Sequence, residues 1–228
     1  MTGGVAARWR SVRDAVDAAC RAAGREPSSV TVVAVSKLHP AAAVEEVAAA
    51  GATDVGENYV QELLGKQAAV AAPLRWHFIG RLQRNKARMI AGKVALVHAV
   101  DSLELGAELG KRALAAGTVQ PILAAINVGG EAQKTGVTAA DAPALIAALR
   151  TTPGLRLDGL MTMPPPADDP EATRPAFAEL RRLRDALATA EHPLPHLSMG
   201  MSHDFAVAIA EGATLVRIGT AIFGERAV

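Results

Sequence analysis

The sequence predicts an α/β fold: a single (β/α)8 TIM barrel over residues 1–228, with an additional N-terminal helix and no second domain. Three observations lead there. Eight short β-rich segments, near residues 31, 53, 75, 95, 121, 156, 196 and 215, each precede a helical segment, and such alternation implies parallel strands. The run Thr31-Val32-Val33-Ala34-Val35-Ser36 lacks clear apolar/polar alternation, which suits a strand covered on both faces. Finally, 228 residues match one barrel domain, with an open doubly wound sheet as the second arrangement the pattern allows.

The elements follow in order. Val5, Trp9, Val12, Val16, Ala19 and Ala23 recur at helical spacing before the stop signals Gly24 and Pro27, giving an opening helix expected to plug the barrel bottom. Pro40 starts and Gly51 ends the helix after the first strand. A strand at Thr53–Val55, a helix from about Tyr59 to Ala71, a strand at Leu74–Ile79 and a helix at Leu82–Ala91 come next. Val94–Val100 reads as a strand, with Asp101 or Ser102 capping a helix to about Ala116. Val119–Val128 is strand-like and Asp141–Arg150 helical. After the strand Leu155–Met161, Pro164-Pro165-Pro166 forces an extended loop, and Asp169 caps a helix with Pro170 in its first position. The last two strands lie near 196 and at Thr214–Ile218.

Composition excludes several classes. The 24 basic and 23 acidic residues leave a formal charge of +1, which argues against a nucleic-acid surface. Arg81, Arg84, Lys86 and Arg88 read as a solvated helix face. Cys20 is the only cysteine, so no internal disulfide forms, and it reads as a packed thiol in a reducing compartment. No apolar stretch reaches the roughly 18 residues a membrane span needs. Arg8, Arg10 and Arg13 occupy the place of a signal peptide's apolar core, so a cytoplasmic protein is expected. No histidine pair has zinc-ligand spacing, and no metal is expected.

In a (β/α)8 barrel the chemistry sits at the C-terminal ends of strands. Lys37, Asn58, Met161, Ser198, Arg217 and Gly219 fall at such ends. Taken alone, Lys37 reads as a lysine snorkelling at a strand end; at the rim of a buried sheet it also becomes a nucleophile for carbonyls. Two glycine turns near the C-terminus, Ser198-Met199-Gly200-Met201-Ser202 and Gly219-Thr220, would point backbone N–H groups at an anion such as phosphate. Both must share one cavity with Lys37 for that reading to hold. From the residues alone, Arg217 pairs with a rim carboxylate such as Glu57 or Glu225. Asn58 and not Glu57 is assigned to the site, since an acid beside a lysine raises that lysine's pKa. Tyr59 is expected to pack inside its helix, and His77, between Trp76 and Phe78, to be a satisfied core group.

The blocks Ala34-Val35-Ser36-Lys37, Gly56 to Glu62, Trp76-His77-Phe78-Ile79-Gly80, Gly159-Leu160-Met161, Leu197 to Ser202 and Val216 to Gly224 resemble the pyridoxal phosphate homeostasis protein family, relatives of the alanine racemase N-terminal barrel. The resemblance covers nearly the whole chain; His203 stands where that family commonly has a small or acidic residue. It implies that pyridoxal 5′-phosphate (PLP) is the cofactor, that Lys37 forms a Schiff base with it, and that Arg217 hydrogen-bonds the pyridine nitrogen. The cofactor-binding set is then Lys37, Asn58, Met161, Ser198, Met199, Gly200, Arg217, Gly219 and Thr220. The implied function is a non-catalytic carrier acting in PLP homeostasis, a monomer with PLP-dependent apoenzymes as partners. The alternatives are a racemase or decarboxylase with Lys37 as its only base, and a Schiff-base aldolase that uses Lys37 without PLP.

Overall fold

The computed structural model describes residues 3–129 and 136–225. Among these residues nine strands form: β1 (Thr31–Val35), β2 (Asp54–Glu57), β3 (Arg75–Phe78), β4 (Leu96–Val100), β5 (Gln120–Asn127), β6 (Val137–Thr138), β7 (Leu155–Met161), β8 (His196–Ser198) and β9 (Leu215–Ile218). All pairings are parallel, and β4 pairs with β5 while β9 pairs with β1, so the sheet closes into an eight-stranded barrel with two-residue β6 attached outside the ring to β5. The expected barrel is present, and the open sheet is not.

The helices are α1 (Val5–Ala22), α2 (Ala41–Ala49), α3 (Val60–Ala69), α4 (Ala87–Ile90), α5 (Leu103–Ala115), α6 (Ala142–Arg150), α7 (Arg174–Leu187), α8 (Phe205–Ala210) and α9 (Thr220–Phe223). Ser102 caps α5 by accepting the Leu105 N–H, and Asp169 accepts the Glu171 N–H at the 3-10 turn Pro170–Thr173 that leads into α7. α1 does not plug the barrel bottom. It packs against α2, α8 and α9 in the outer ring. The reason is that α9 is a single turn, which leaves the β9–β1 seam for α1 to cover with Trp9, Val12, Val16 and Cys20. Arg8 and Arg25 pin it by donating to the Ile222 and Ile209 carbonyls at the ends of α9 and α8. Cys20 is fully buried, and burial raises its thiol pKa.

The segment expected as a helix over Leu82–Ala91 is a 3-10 turn at Arg84–Lys86 followed by the one-turn α4. Leu82, Ala87, Ile90 and Ala91 are all buried. On one continuous helix, at about 100° per residue, Leu82 and Ala91 would face opposite ways. Extended Gln83 resolves that conflict. The basic cluster is consequently not a helix face.

Pleating divides the core. Val32, Ala34, Ile122, Ala124, Val216 and Ile218 join the main cluster between barrel and helices, while alternating Val33, Leu123, Ala125 and Leu215 belong to a small second cluster inside the barrel. Arg217, between Val216 and Ile218, therefore faces the interior.

Candidate functional site

Adjacent strand ends bring the first groups together. Ala34 lies opposite Ile218 in the β1–β9 pair, so the chain leaving β1 toward Lys37 runs beside the chain leaving β9 through Gly219 and Thr220. A Cβ at Gly219 would press on the Val35 carbonyl oxygen at 3.3 Å, which is why glycine suits this crossing. His39 stacks on Phe223 with ring centroids 5.2 Å apart, tying the two loops.

The backbone on both sides of Lys37 is clamped from beneath. Lys66 Nζ donates to Ser36 O at 2.7 Å and to Glu57 Oε1 at 2.6 Å. Ser36 Oγ also donates to Glu57 Oε1, at 2.5 Å, and the Leu38 N–H donates to Glu62 Oε2 at 2.8 Å. Leu38 is held at φ 63°, a conformation that non-glycine residues rarely adopt. Burial raises the Glu57 carboxyl pKa, opposed by its hydrogen bonds from Lys66 and Ser36. Glu57 thus pairs with Lys66 and not with Arg217, and lies outside the cavity wall.

Lys37, Asn58, Met161, Arg217, Gly219 and Thr220 line one cavity of about 460 Å³ at the C-terminal mouth of the barrel. That volume is within the range of small-ligand pockets, about 300–1,000 Å³. Asn58 Oδ1 is buried without a hydrogen-bond partner. Arg217 is 6% exposed and donates from Nη1 to Ser198 Oγ at 2.6 Å and from Nη2 to Thr162 O at 3.0 Å. Burial lowers its pKa to about 10, opposed by Asp204, so the guanidinium is charged at neutral pH.

Ser198, Met199 and Gly200 do not line this cavity. β8 ends with the Ser198 side chain turned into the barrel, where it is fully buried and bonded to Arg217. Met199, next in the alternation, points into the main core. Gly200 has φ 90°, a Cβ there would meet Ala208 Cβ at 2.6 Å, and its carbonyl accepts the Arg217 N–H at 2.9 Å. These three shape the site from behind. The turn instead delivers Ser202 and His203 to the lining, and Gly80 and Arg81 reach it from the loop after β3. All four lie in or beside motifs visible in the sequence. The Lys66 clamp had only the i,i+4 pair Glu62–Lys66 as a signal.

Tyr59 does not pack as expected. It is the N-cap residue of α3, half exposed, and lines a neighbouring groove of about 620 Å³ with Arg84, Lys86, Asp101 and Glu104. His77 is the satisfied core histidine expected, bonded to Asp54 and His98. Among the described residues no group of histidine, cysteine or acidic side chains could hold a metal, and no helix is long and apolar enough to cross a membrane.

The geometry can be set beside known proteins. Residues 12–227 match the family model of the alanine racemase N-terminal domain. The pyridoxal phosphate homeostasis protein of Pseudomonas aeruginosa is 50% identical over 209 residues, covering 91% of this chain and 90% of that protein. The protein of the same name from Aquifex aeolicus is 46% identical over 221 residues, covering 96% and 97%. PipY of Synechococcus elongatus, in a structure with PLP bound, superposes with a TM-score of 0.84 at 36% identity, covering 96% of this chain and all of that one. Sequence motifs, barrel topology and near-complete overlap agree: the chain belongs to the pyridoxal phosphate homeostasis protein family, within the alanine racemase N-terminal domain fold.

Proposed function

We propose that the chain binds PLP in the 460 Å³ cavity as a Schiff base on Lys37 and serves intracellular PLP homeostasis without robust catalysis. The observation that carries this is the shared lining of Lys37 and the Gly219–Thr220 turn. The residues fit the group. Lys37 supplies the amine for an aldehyde. The opening N–H groups of α9 have no acceptor within that helix, and with the Thr220 and Ser202 hydroxyls they suit a phosphate. The orphaned Asn58 Oδ1 suits the phenolic O–H. Met161, Ile79 and Ala99 offer apolar contact to the ring.

Arg217 remains for the ring nitrogen. It only donates hydrogen bonds, so the nitrogen it meets must accept and stay unprotonated. The bound cofactor supplies an electron sink, which an unprotonated ring makes weaker. Two further points support a carrier. Tyr59 faces the neighbouring groove, and the Nε2 of His203 in the cavity lining is 3.0 Å from the Asp168 carbonyl oxygen. A mouth at the C-terminal end of the barrel also suits transfer to PLP-dependent apoenzymes. A cytoplasmic monomer is part of the proposal.

The test is an absorbance spectrum of the purified chain with PLP, before and after excess amino acid, together with borohydride reduction and peptide mapping. A visible band with label on Lys37 is expected. Steady turnover of an amino acid at about 1 per second or faster would favour the racemase or decarboxylase. Colourless protein after titration would overturn the proposal.

A further inference from the structure

Five polar side chains cross the barrel interior in an unbroken line. Asp54 Oδ1 is 2.8 Å from His77 Nε2, and His77 Nδ1 is 2.9 Å from His98 Nε2. His98 Nδ1 is 2.8 Å from Ser198 Oγ, which is 2.6 Å from Arg217 Nη1. The residues come from β2, β3, β4, β8 and β9, and all five are buried. Asp54 opens β2 at the N-terminal mouth, where Oδ2 also takes bonds from Thr53 and Arg75; Arg217 ends the line in the cavity at the opposite mouth.

Barrel interiors are ordinarily filled by layers of branched apolar side chains, and a half-satisfied polar network there is worse than an apolar filling. This line is satisfied at every joint, and one direction of donation along it suits both ends. Asp54, an acceptor-only carboxylate, takes the His77 Nε2–H. In the tautomer with its hydrogen on Nε2, His77 takes the His98 Nε2–H at Nδ1, and the bare Nδ1 of His98 takes the Ser198 hydroxyl hydrogen. Ser198 Oγ is thereby left as an acceptor, which is what Arg217 requires. Burial, reinforced by the Arg217 charge, pushes the His98 pKa well down and keeps it neutral. The Ser198 hydrogen points away from the cavity.

We infer that Asp54, His77, His98 and Ser198 are positioning residues whose directed hydrogen-bond line locks the Arg217 guanidinium, so that its remaining donors face the cofactor's ring nitrogen and hold it unprotonated. The inference rests on the PLP reading above. Of the five guanidinium N–H donors, protein atoms take Nη1 and Nη2 hydrogens at Ser198 and Thr162, and donors remain for a ligand. Without the Ser198 acceptor, nothing in the line fixes the plane of the guanidinium.

The test loads wild type, Ser198→Ala, Ser198→Thr, His98→Leu and His98→Asn with PLP carrying a 15N ring nitrogen, and reads the nitrogen resonance at neutral pH and the dissociation constant. Wild type should show the unprotonated resonance. Ser198→Ala and His98→Leu should shift it toward the protonated position and weaken binding about tenfold or more. Ser198→Thr restores the hydroxyl and His98→Asn restores the acceptor beside Ser198, so both should return the resonance toward wild type. If His98→Leu fails to fold, the two Ser198 variants decide by the same readout. Variants that lose stability while the resonance stays in place would assign the line a purely structural role and overturn the inference alone. A wild type that takes up no PLP would overturn the functional proposal and this inference together.

Discussion

Replacing Lys66 with methionine tests the clamp under Lys37. Its side chain is 8% exposed, and its ammonium bridges Glu57 Oε1 at 2.6 Å, Ser36 O at 2.7 Å and Glu62 Oε2 at 3.0 Å. Glu57 is fully buried, so removing its partner strands a charge; such losses cost about 3–5 kcal/mol. The partly exposed Glu62 contact adds only about 0.3–0.5 kcal/mol. Against a total stability of about 5–15 kcal/mol this is a large fraction, visible as a lower urea midpoint at unchanged slope. The double variant Lys66→Met with Glu57→Gln should regain much of the loss, because the stranded charge has gone. The sign with pH follows from burial raising the Glu57 pKa. The folded state then binds more protons than the unfolded state as pH climbs above about 4.3, so stability falls with rising pH. The deficit of Lys66→Met should therefore be largest at neutral pH and shrink toward pH 4.5. The same variant should weaken PLP binding, since Ser36 and Leu38 flank Lys37. A loss below about 1 kcal/mol, or a double variant equal to the sum of the singles, would refute the stranded-charge reasoning.

Asp54 has its carboxyl pKa held at about 2: burial works against it, but hydrogen bonds from His77, Arg75 and Thr53 prevail. A depressed folded pKa gives stability that is present above about pH 4 and lost as pH falls toward 2, worth about 2 kcal/mol, and Asp54→Asn should remove that part of the acid-unfolding curve. Gly200→Ala should cost about 1–3 kcal/mol in denaturant unfolding from its φ of 90° alone, and more from the 2.6 Å approach to Ala208. Lys37→Ala should abolish borohydride trapping of PLP yet keep weaker, phosphate-dependent retention, measurable by equilibrium dialysis against free phosphate. A full visible band in that variant would place the attachment on another lysine.

The barrel was legible because its strands are β-rich and its caps are chemical: Ser102 and Asp169 stand where capping demands them. Failures occurred where tertiary packing overrode local pattern. The Leu82–Ala91 segment has helical residues but a burial pattern no single helix satisfies. α1 sits in the outer ring because α9 stops after one turn, a fact about the chain's far end. Ser198 shows the sharpest limit. In a three-residue strand, a shift of one position exchanges inward and outward faces, so motif spacing located the turn without saying which hydroxyl it presents.

That limit is also why the interior line escapes a reading of the sequence. His77 lies between Trp76 and Phe78 and His98 between Val97 and Ala99, so each looks like an isolated core histidine in want of a partner. Only closure of the sheet turns the inward positions of β2, β3, β4, β8 and β9 toward one axis, where residues 21 and 100 positions apart meet. The interior apolar cluster is small, with Val33, Leu96, Leu123 and Leu215 among its members, and the polar line shares the space with it. An ordinary barrel core would fill that volume with branched side chains, at no risk of an unsatisfied group. Keeping a polar line through it makes physical sense where its terminus, Arg217, has a ligand to hold.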